Sequence, residues 1–350
     1  MRLFSVFLFA LSIAAYQGWK TYLAPATPTP ATCAPAPTCG GQTANVLFQS
    51  SDAGKTWQDV SRGLPAMLEI TQIMARDGEV FLGTIDDGLL HSSNPAMGVW
   101  DQEQVGEMFP VTGDAEPNKL ITGIFPGRSG AYVSVLDRGF FRKSIDANRW
   151  EAMHENLEDK SVYTVLERPD GTIFIGNQQG IYRTGDGGKT WEHVFARNWV
   201  NNLVAVGDNL VATGYQGLLR STDGGKTWNT VLLHEGASYQ TCVMGERIAA
   251  IRTSGSWNSY AEGAVLLRAS ADGGQTWEPM DESVMPARVA QLVQAGDYLF
   301  CSSSAGISRS ADGGKTWELV RPYTDPREKR LLRLAVSGQQ IFAVVVQAGC

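Results

Sequence analysis

SSDAGKTW at residues 50–57 is written again, with small changes, as TGDGGKTW from Thr184, STDGGKTW from Ser221, SADGGQTW from Ser270 and SADGGKTW from Ser310. The last four copies stand about 40 residues apart, a period that marks a propeller or a solenoid. A unit of that length cannot bury its apolar face alone and stacks on its copies. Within each copy the glycine-bearing step after the Asp signals a tight turn, because Gly accepts positive φ and the carboxylate accepts turn N–H groups. The Thr-Trp pair then opens a strand. Consecutive strand residues point to opposite faces, so the indole is placed to wedge between neighbouring sheets while the hydroxyl stays by the turn.

The pattern S-x-D-x-G-x-T-W resembles the Asp box, or bacterial neuraminidase repeat, and that resemblance implies a β-propeller. Two decayed copies keep the spacing: Ser93-Asn94 leads to Trp100, and Ser144 to Arg149 leads to Trp150. Both lack the box glycines, and neither tryptophan follows a Thr. Anchoring tryptophans thus stand at 57, 100, 150, 191, 228, 277 and 317, which predicts seven blades. The expected architecture is all-β, a seven-bladed propeller of four-stranded antiparallel blades.

Between anchors the sequence alternates short apolar runs with Gly-bearing turns and shows no helical period. Val162 to Leu166, Ile173 to Gly176, Ile181 to Thr184 and Trp191 to Val194 make one four-stranded unit. The ends are incomplete units. One strand, Asn45 to Gln49, precedes the first box, and two, Leu331 to Val336 and Gln340 to Val346, follow the last. Together they predict a blade shared by both ends, which leaves no open sheet edge around the ring.

Residues 1–22 begin with Arg2, run apolar from Leu3 to Ala15 and reach Lys20, which reads as an export signal or an uncleaved anchor. Residues 23–42 are Ala, Pro and Thr with Cys33 and Cys39, an expected extended spacer, and residues 43–350 form the propeller. The protein is therefore expected outside the cytoplasm, with a membrane tether open as an alternative. Five cysteines in an oxidising compartment leave room for a Cys33–Cys39 loop, while Cys242 and Cys301 read as small buried hydrophobes. A net charge of -7 and a pI near 5.2, with no basic run, argue against nucleic acid as a partner.

The box aspartates Asp52, Asp186, Asp223, Asp272 and Asp312, like the box tryptophans Trp57, Trp191, Trp228, Trp277 and Trp317, read as structural. All five carboxylates occupy the same local turn, whereas a site needs one converging cluster. DGGKTWE also lacks the alternating oxygen ligands of a calcium loop, and His91, His154, His193 and His234 have no metal-ligand spacing. No metal, cofactor or catalytic residue is expected. A sialidase resemblance would require an arginine triad, a Tyr-Glu nucleophile pair and an acid/base Asp. The nearest string to its arginine motif, Ile124 to Arg128, has the wrong order.

Seven blades built from Asp boxes resemble photosystem II assembly and stability factors, sortilin-type receptor ectodomains and xyloglucan-active glycoside hydrolases. The exported single propeller is most similar to the first. That resemblance implies a non-catalytic scaffold which binds another protein or assists assembly of a membrane complex. A sialidase-like or other glycoside hydrolase, or a glycan-binding propeller, stands as the alternative.

In a four-stranded blade the box turns share one face with the first-to-second turns, so function is sought on the other face. There the longest second-to-third insertion, Thr253 to Gly263, displays Trp257 and Tyr260 among small polar residues, and Asp86, Asp87, Asp137, Arg138 and Arg252 are placed nearer the central mouth.

Overall fold

The computed structural model describes residues 45–105, 119–145, 149–196, 199–215, 217–233, 237–254, 267–287, 289–323 and 332–346. The expected leader, the spacer with Cys33 and Cys39, His234, and Trp257 with Tyr260 lie outside them.

The chain opens with β1 (Leu47–Ser50) and β2 (Gln58–Asp59), which flank the first box. Blade 1 follows as β3 (Ile70–Arg76), β4 (Glu79–Thr84), β5 (Leu89–Ser92) and β6 (Asp101–Glu103). Blade 2 is β7 (Ile121–Pro126), β8 (Gly130–Val135), β9 (Gly139–Ser144) and β10 (Glu151–Ala152). Blade 3 is β11 (Thr164–Glu167), β12 (Ile173–Gly176), β13 (Ile181–Thr184) and β14 (Glu192–Phe195). Blade 4 is β15 (Val200–Val206), β16 (Asn209–Gly214), β17 (Gly217–Ser221) and β18 (Asn229–Leu233). Blade 5 is β19 (Ala237–Met244), β20 (Arg247–Ser254), β21 (Leu267–Ser270) and β22 (Glu278–Pro279). Blade 6 is β23 (Gln291–Ala295), β24 (Tyr298–Ser303), β25 (Gly306–Ser310) and β26 (Glu318–Pro322).

The last strands, β27 (Leu332–Ser337) and β28 (Gln340–Val345), complete blade 7 in the order β2-β1-β28-β27. Leu47 stands opposite Val344 and Ser50 opposite Ile341, so the two ends of the described propeller share one antiparallel sheet, as the incomplete terminal units imply. The innermost strands β3, β7, β11, β15, β19, β23 and β27 neighbour one another in that order, and β27 returns to β3.

Seven apolar clusters each join two adjacent blades, and each contains or is packed by one anchoring tryptophan. Trp228 of blade 4 packs edge-on against Phe174 of blade 3, with ring centroids 6.5 Å apart. The second box glycine makes this approach possible. Gly225 has φ +81°, and a Cβ there would stand 2.2 Å from the Phe174 ring.

The box itself is a closed set of hydrogen bonds. In blade 4, Ser221 Oγ donates to Asp223 Oδ1 at 2.8 Å and accepts from Gly225 N at 2.9 Å. Asp223 also accepts from the backbone N of Lys226 and Thr227 and from Thr227 Oγ1, the last at 2.6 Å. Trp228 Nε1 closes the turn on Gly225 O at 3.2 Å. The boxes of blades 5, 6 and 7 repeat this arrangement, whereas in blade 3 Trp191 Nε1 crosses to Met153 O at 2.9 Å. Hydrogen bonds to the charged form, led by the Thr hydroxyl, hold Asp52 down to about 2, and the same turn lowers Asp186, Asp223, Asp272 and Asp312, with the Thr184 hydroxyl leading at Asp186.

A second set of polar links joins the blades near the centre. Thr71 Oγ1 donates to Ile121 O at 2.7 Å, Ser134 Oγ accepts from Val162 N at 3.3 Å, and Thr164 Oγ1 accepts from Leu203 N at 3.1 Å. Thr213 Oγ1 donates to Tyr239 O at 2.6 Å, Gly245 N to Gln294 Oε1 at 2.8 Å, and Arg333 Nη1 to Gln72 Oε1 at 3.1 Å. Gln291 both accepts from Leu334 N and donates to Leu334 O. Every junction of the ring thus carries such a bond, which fixes the inner strands that frame the mouth. Cys301 is fully buried and Cys242 packs against its cluster; burial pushes both thiols up to about 12.

Candidate functional site

The antiparallel order places the box turns and the first-to-second turns on one face. The second-to-third turns and the blade connections share the other. Asp86 and Asp87 sit in the second-to-third turn of blade 1, closed by Thr84 N to Gly88 O at 3.0 Å and by Gln102 Nε2 to Asp87 O at 2.7 Å. Asp137 and Arg138 occupy the same turn of blade 2, with Asp137 exposed at φ +60°, a left-handed conformation that Asp tolerates. The structure brings these four to neighbouring blades. Arg252, at the end of β20 and opposite Tyr239, belongs to blade 5, three places away around the ring in either direction.

A different group converges on this face between blades 3 and 4. Tyr163 leads into the innermost strand β11 and Trp199 into the innermost strand β15; their ring centroids lie 5.3 Å apart at a tilt of 46°. Tyr215, which follows β16, donates its backbone N to Trp199 O at 3.1 Å and leaves its side chain 53% exposed. Fully buried Asn177 ties the segments together. Its Nδ2 donates to Asp159 O at 3.3 Å, its Oδ1 accepts from Gln179 N and Gly180 N, and its carbonyl accepts from Val200 N. Gln178 Nε2 then reaches the Tyr163 hydroxyl at 2.9 Å. Burial, helped by the charge of Asp159, raises the Tyr163 phenol.

Sequence reading missed this cluster, although it left a signal. Trp199 follows the anchor Trp191 by only eight residues, too soon to anchor another blade. A tryptophan off the repeat is one the fold does not require.

One pairing tests the sialidase alternative. Tyr132 Oη donates to Glu167 Oε2 at 3.0 Å, and Ser129 N donates to the same oxygen at 3.0 Å. Tyr132 is fully buried, and desolvation pushes its phenol up to about 12. A nucleophilic tyrosine needs access and a lowered pKa, so this Tyr-Glu pair is a packing contact. Among the described residues no group of three or more His, Cys, Asp or Glu is placed to hold a metal ion.

A closed ring of seven four-stranded blades, five of them carrying an intact Asp box, defines an Asp-box β-propeller. The family model described as Photosynthesis system II assembly factor YCF48 matches residues 142–331, more than half of the chain, and the chain belongs to that family. No curated protein matches it. Among solved structures, YCF48 bound to D1 peptide shares 15% identity over 81% of this chain and 94% of that one, with a TM-score of 0.56. YCF48 from Cyanidioschyzon merolae shares 13% over 86% and 97%, with a TM-score of 0.53. An ancestral GH74 enzyme shares 14% over 81% of this chain and 41% of that one, with a TM-score of 0.57. The chain spans less than half the length of the GH74 structures it matches. At these identities the likeness is one of fold.

Proposed function

We propose that the protein is a non-catalytic scaffold outside the cytoplasm that binds a segment of another protein during assembly of a membrane complex, in the manner of a photosystem II assembly factor. The family match over residues 142–331 carries this reading. The structure of YCF48 bound to D1 peptide supports a peptide as the class of ligand. The partly buried Tyr163 and Trp199 rings, with the half-exposed Tyr215 tied to them, supply rigid amphipathic contact area of the kind such surfaces use. The apolar stretch from Leu3 to Ala15 supports export or tethering.

Titration of the full chain with overlapping peptides of the D1 protein, followed by fluorescence anisotropy, tests the reading. Saturable binding by at least one peptide is expected, with weaker binding in Tyr215→Ala. No binding by any peptide, or turnover of xyloglucan oligosaccharides or sialosides by the purified protein, overturns it. Protease protection of the tagged protein in whole cells checks the compartment: cleavage only after the cytoplasm is breached would contradict export.

A further inference from the structure

The connection that carries the chain from blade 2 into blade 3 is acidic where it passes the aromatic cluster. Glu155 and Glu158 are exposed and Asp159 is half-buried, with Lys160 the single cation among them. Asp159 is held in place: its Oδ1 accepts from Ser161 N at 2.9 Å, and its carbonyl accepts from Asn177 Nδ2. Its charge acts on the Tyr163 phenol, and the charges of Glu158 and Asp159 both act on Tyr182.

Rings present negative faces, and a neighbouring carboxylate adds to that potential. Tyr163 and Trp199 meet at 46°, so together they offer a bent aromatic surface and not a flat slot. Tyr215 is tied to Trp199 through its backbone N and keeps half its side chain in water. A flat cation suits this setting. Guanidinium stacks on an aromatic face and pairs with a carboxylate, and it is more weakly hydrated than an ammonium.

We propose that Tyr163, Trp199 and Tyr215, with Asp159, form a subsite that takes a cationic side chain, arginine above all, from the bound protein segment. This rests on the peptide-binding reading and adds the chemistry of the segment. The ring carbons hold the side-chain stem and the flat face of the cation, while Asp159 supplies the opposite charge at the rim. A glutamate at the same place in the segment is repelled by Asp159 and by the ring faces alike.

The test is a selection of random dodecapeptides displayed on phage against the immobilised full chain and against an Asp159→Asn/Tyr215→Ala variant. Wild type is expected to fix Arg or Lys at one position of the enriched sequences. Replacing that residue of the leading peptide by alanine should weaken binding about tenfold, the scale of a partly desolvated cation–π contact with a charge partner. The double variant should lose the preference with an unchanged thermal midpoint. Tyr215→Ala alone, at a half-exposed ring, serves as the second variant and should lose part of it. Enriched peptides without a fixed cation, or a preference that survives in both variants, overturn the cation subsite and leave the peptide-binding reading in place. No enrichment at all overturns both.

Discussion

In blade 4 the buried Ser221 hydroxyl serves two partners, Asp223 and Gly225 N, whereas in blade 1 Ser92 keeps the same buried position and has no hydrogen-bond partner among the described residues. The box around Ser92 has lost its Asp, and its turn is a single 3-10 turn, Pro95–Met97, whose Trp100 Nε1 donates to Arg62 O at 3.2 Å. In blade 2 the anchor has also left its own turn. Trp150 Nε1 donates to Glu103 Oε2 at 3.1 Å, and the same carboxylate takes Lys143 Nζ at 2.7 and 2.8 Å. His91, stacked on Phe81 at 4.3 Å, places Nδ1 at 3.4 Å from Glu103 Oε1. Four blades close the indole N–H on their own box turn, while in blades 1, 2 and 3 it crosses to Arg62 O, to the Glu103 carboxylate and to Met153 O. The anchoring indole is what every blade retains; the chemistry that positions it is exchangeable.

The largest effect should come from the intact box. Gly225→Val combines a positive φ with a Cβ driven into the Phe174 ring, and is expected to cost about 3 kcal/mol or more in urea unfolding. If the box tolerates it, the close approach is not what the glycine serves. Next comes the seam that replaces a box. Glu103→Ala strands the Lys143 cation and the Trp150 N–H and should cost about 2–4 kcal/mol, with Lys143→Met added to it restoring part of the loss.

The two serines give the sharpest contrast. Ser221→Ala removes one donor and one acceptor and should cost about 1–3 kcal/mol, while Ser92→Ala removes a buried hydroxyl with no partner and should be neutral or stabilising. Equal losses at both would break the comparison.

The smallest effect concerns acid. The box aspartates titrate below their unfolded value of 3.8, so between about pH 4 and pH 2 the unfolded chain takes up protons that the folded chain refuses. The stability these carboxylates contribute is therefore complete above about pH 4 and falls as the pH drops through that window. Glu103, lowered from 4.5 to about 2 by His91 first and then by Lys143 and Trp150 against its burial, adds to the same slope. Asp223→Asn should flatten the fall of thermal midpoint between pH 4 and pH 2 slightly, since four other boxes keep theirs. An unchanged slope would mean that this carboxylate titrates alike in both states.

Most of the fold was legible because the repeat is local. A turn glycine, an Asp two residues after a Ser, and a Trp at the strand start are needed by each blade within a few residues of one another, and the seven tryptophans do occupy the seven seams. The shared blade was readable by counting strands at the ends. The site was less so. Asp86, Asp87, Asp137 and Arg138 stand in second-to-third turns of neighbouring blades and Arg252 stands three blades from them, a separation set by ring closure and not by sequence distance. The cluster of Tyr163, Trp199 and Tyr215 is assembled from two blades and a connection by Asn177, and no local pattern announces such a meeting.

The pairing of β1 with β28 also sets an order of events in synthesis. Leu47 to Ser50 are made early and find their partners, Ile341 to Val344, only when nearly three hundred further residues have emerged. Until then the β1 edge is unpaired, and the seam where Phe48 packs beside Leu332 and Ile341 does not exist. The contacts between consecutive blades span far shorter loops than this one, so the closing pair is the last that the chain can make.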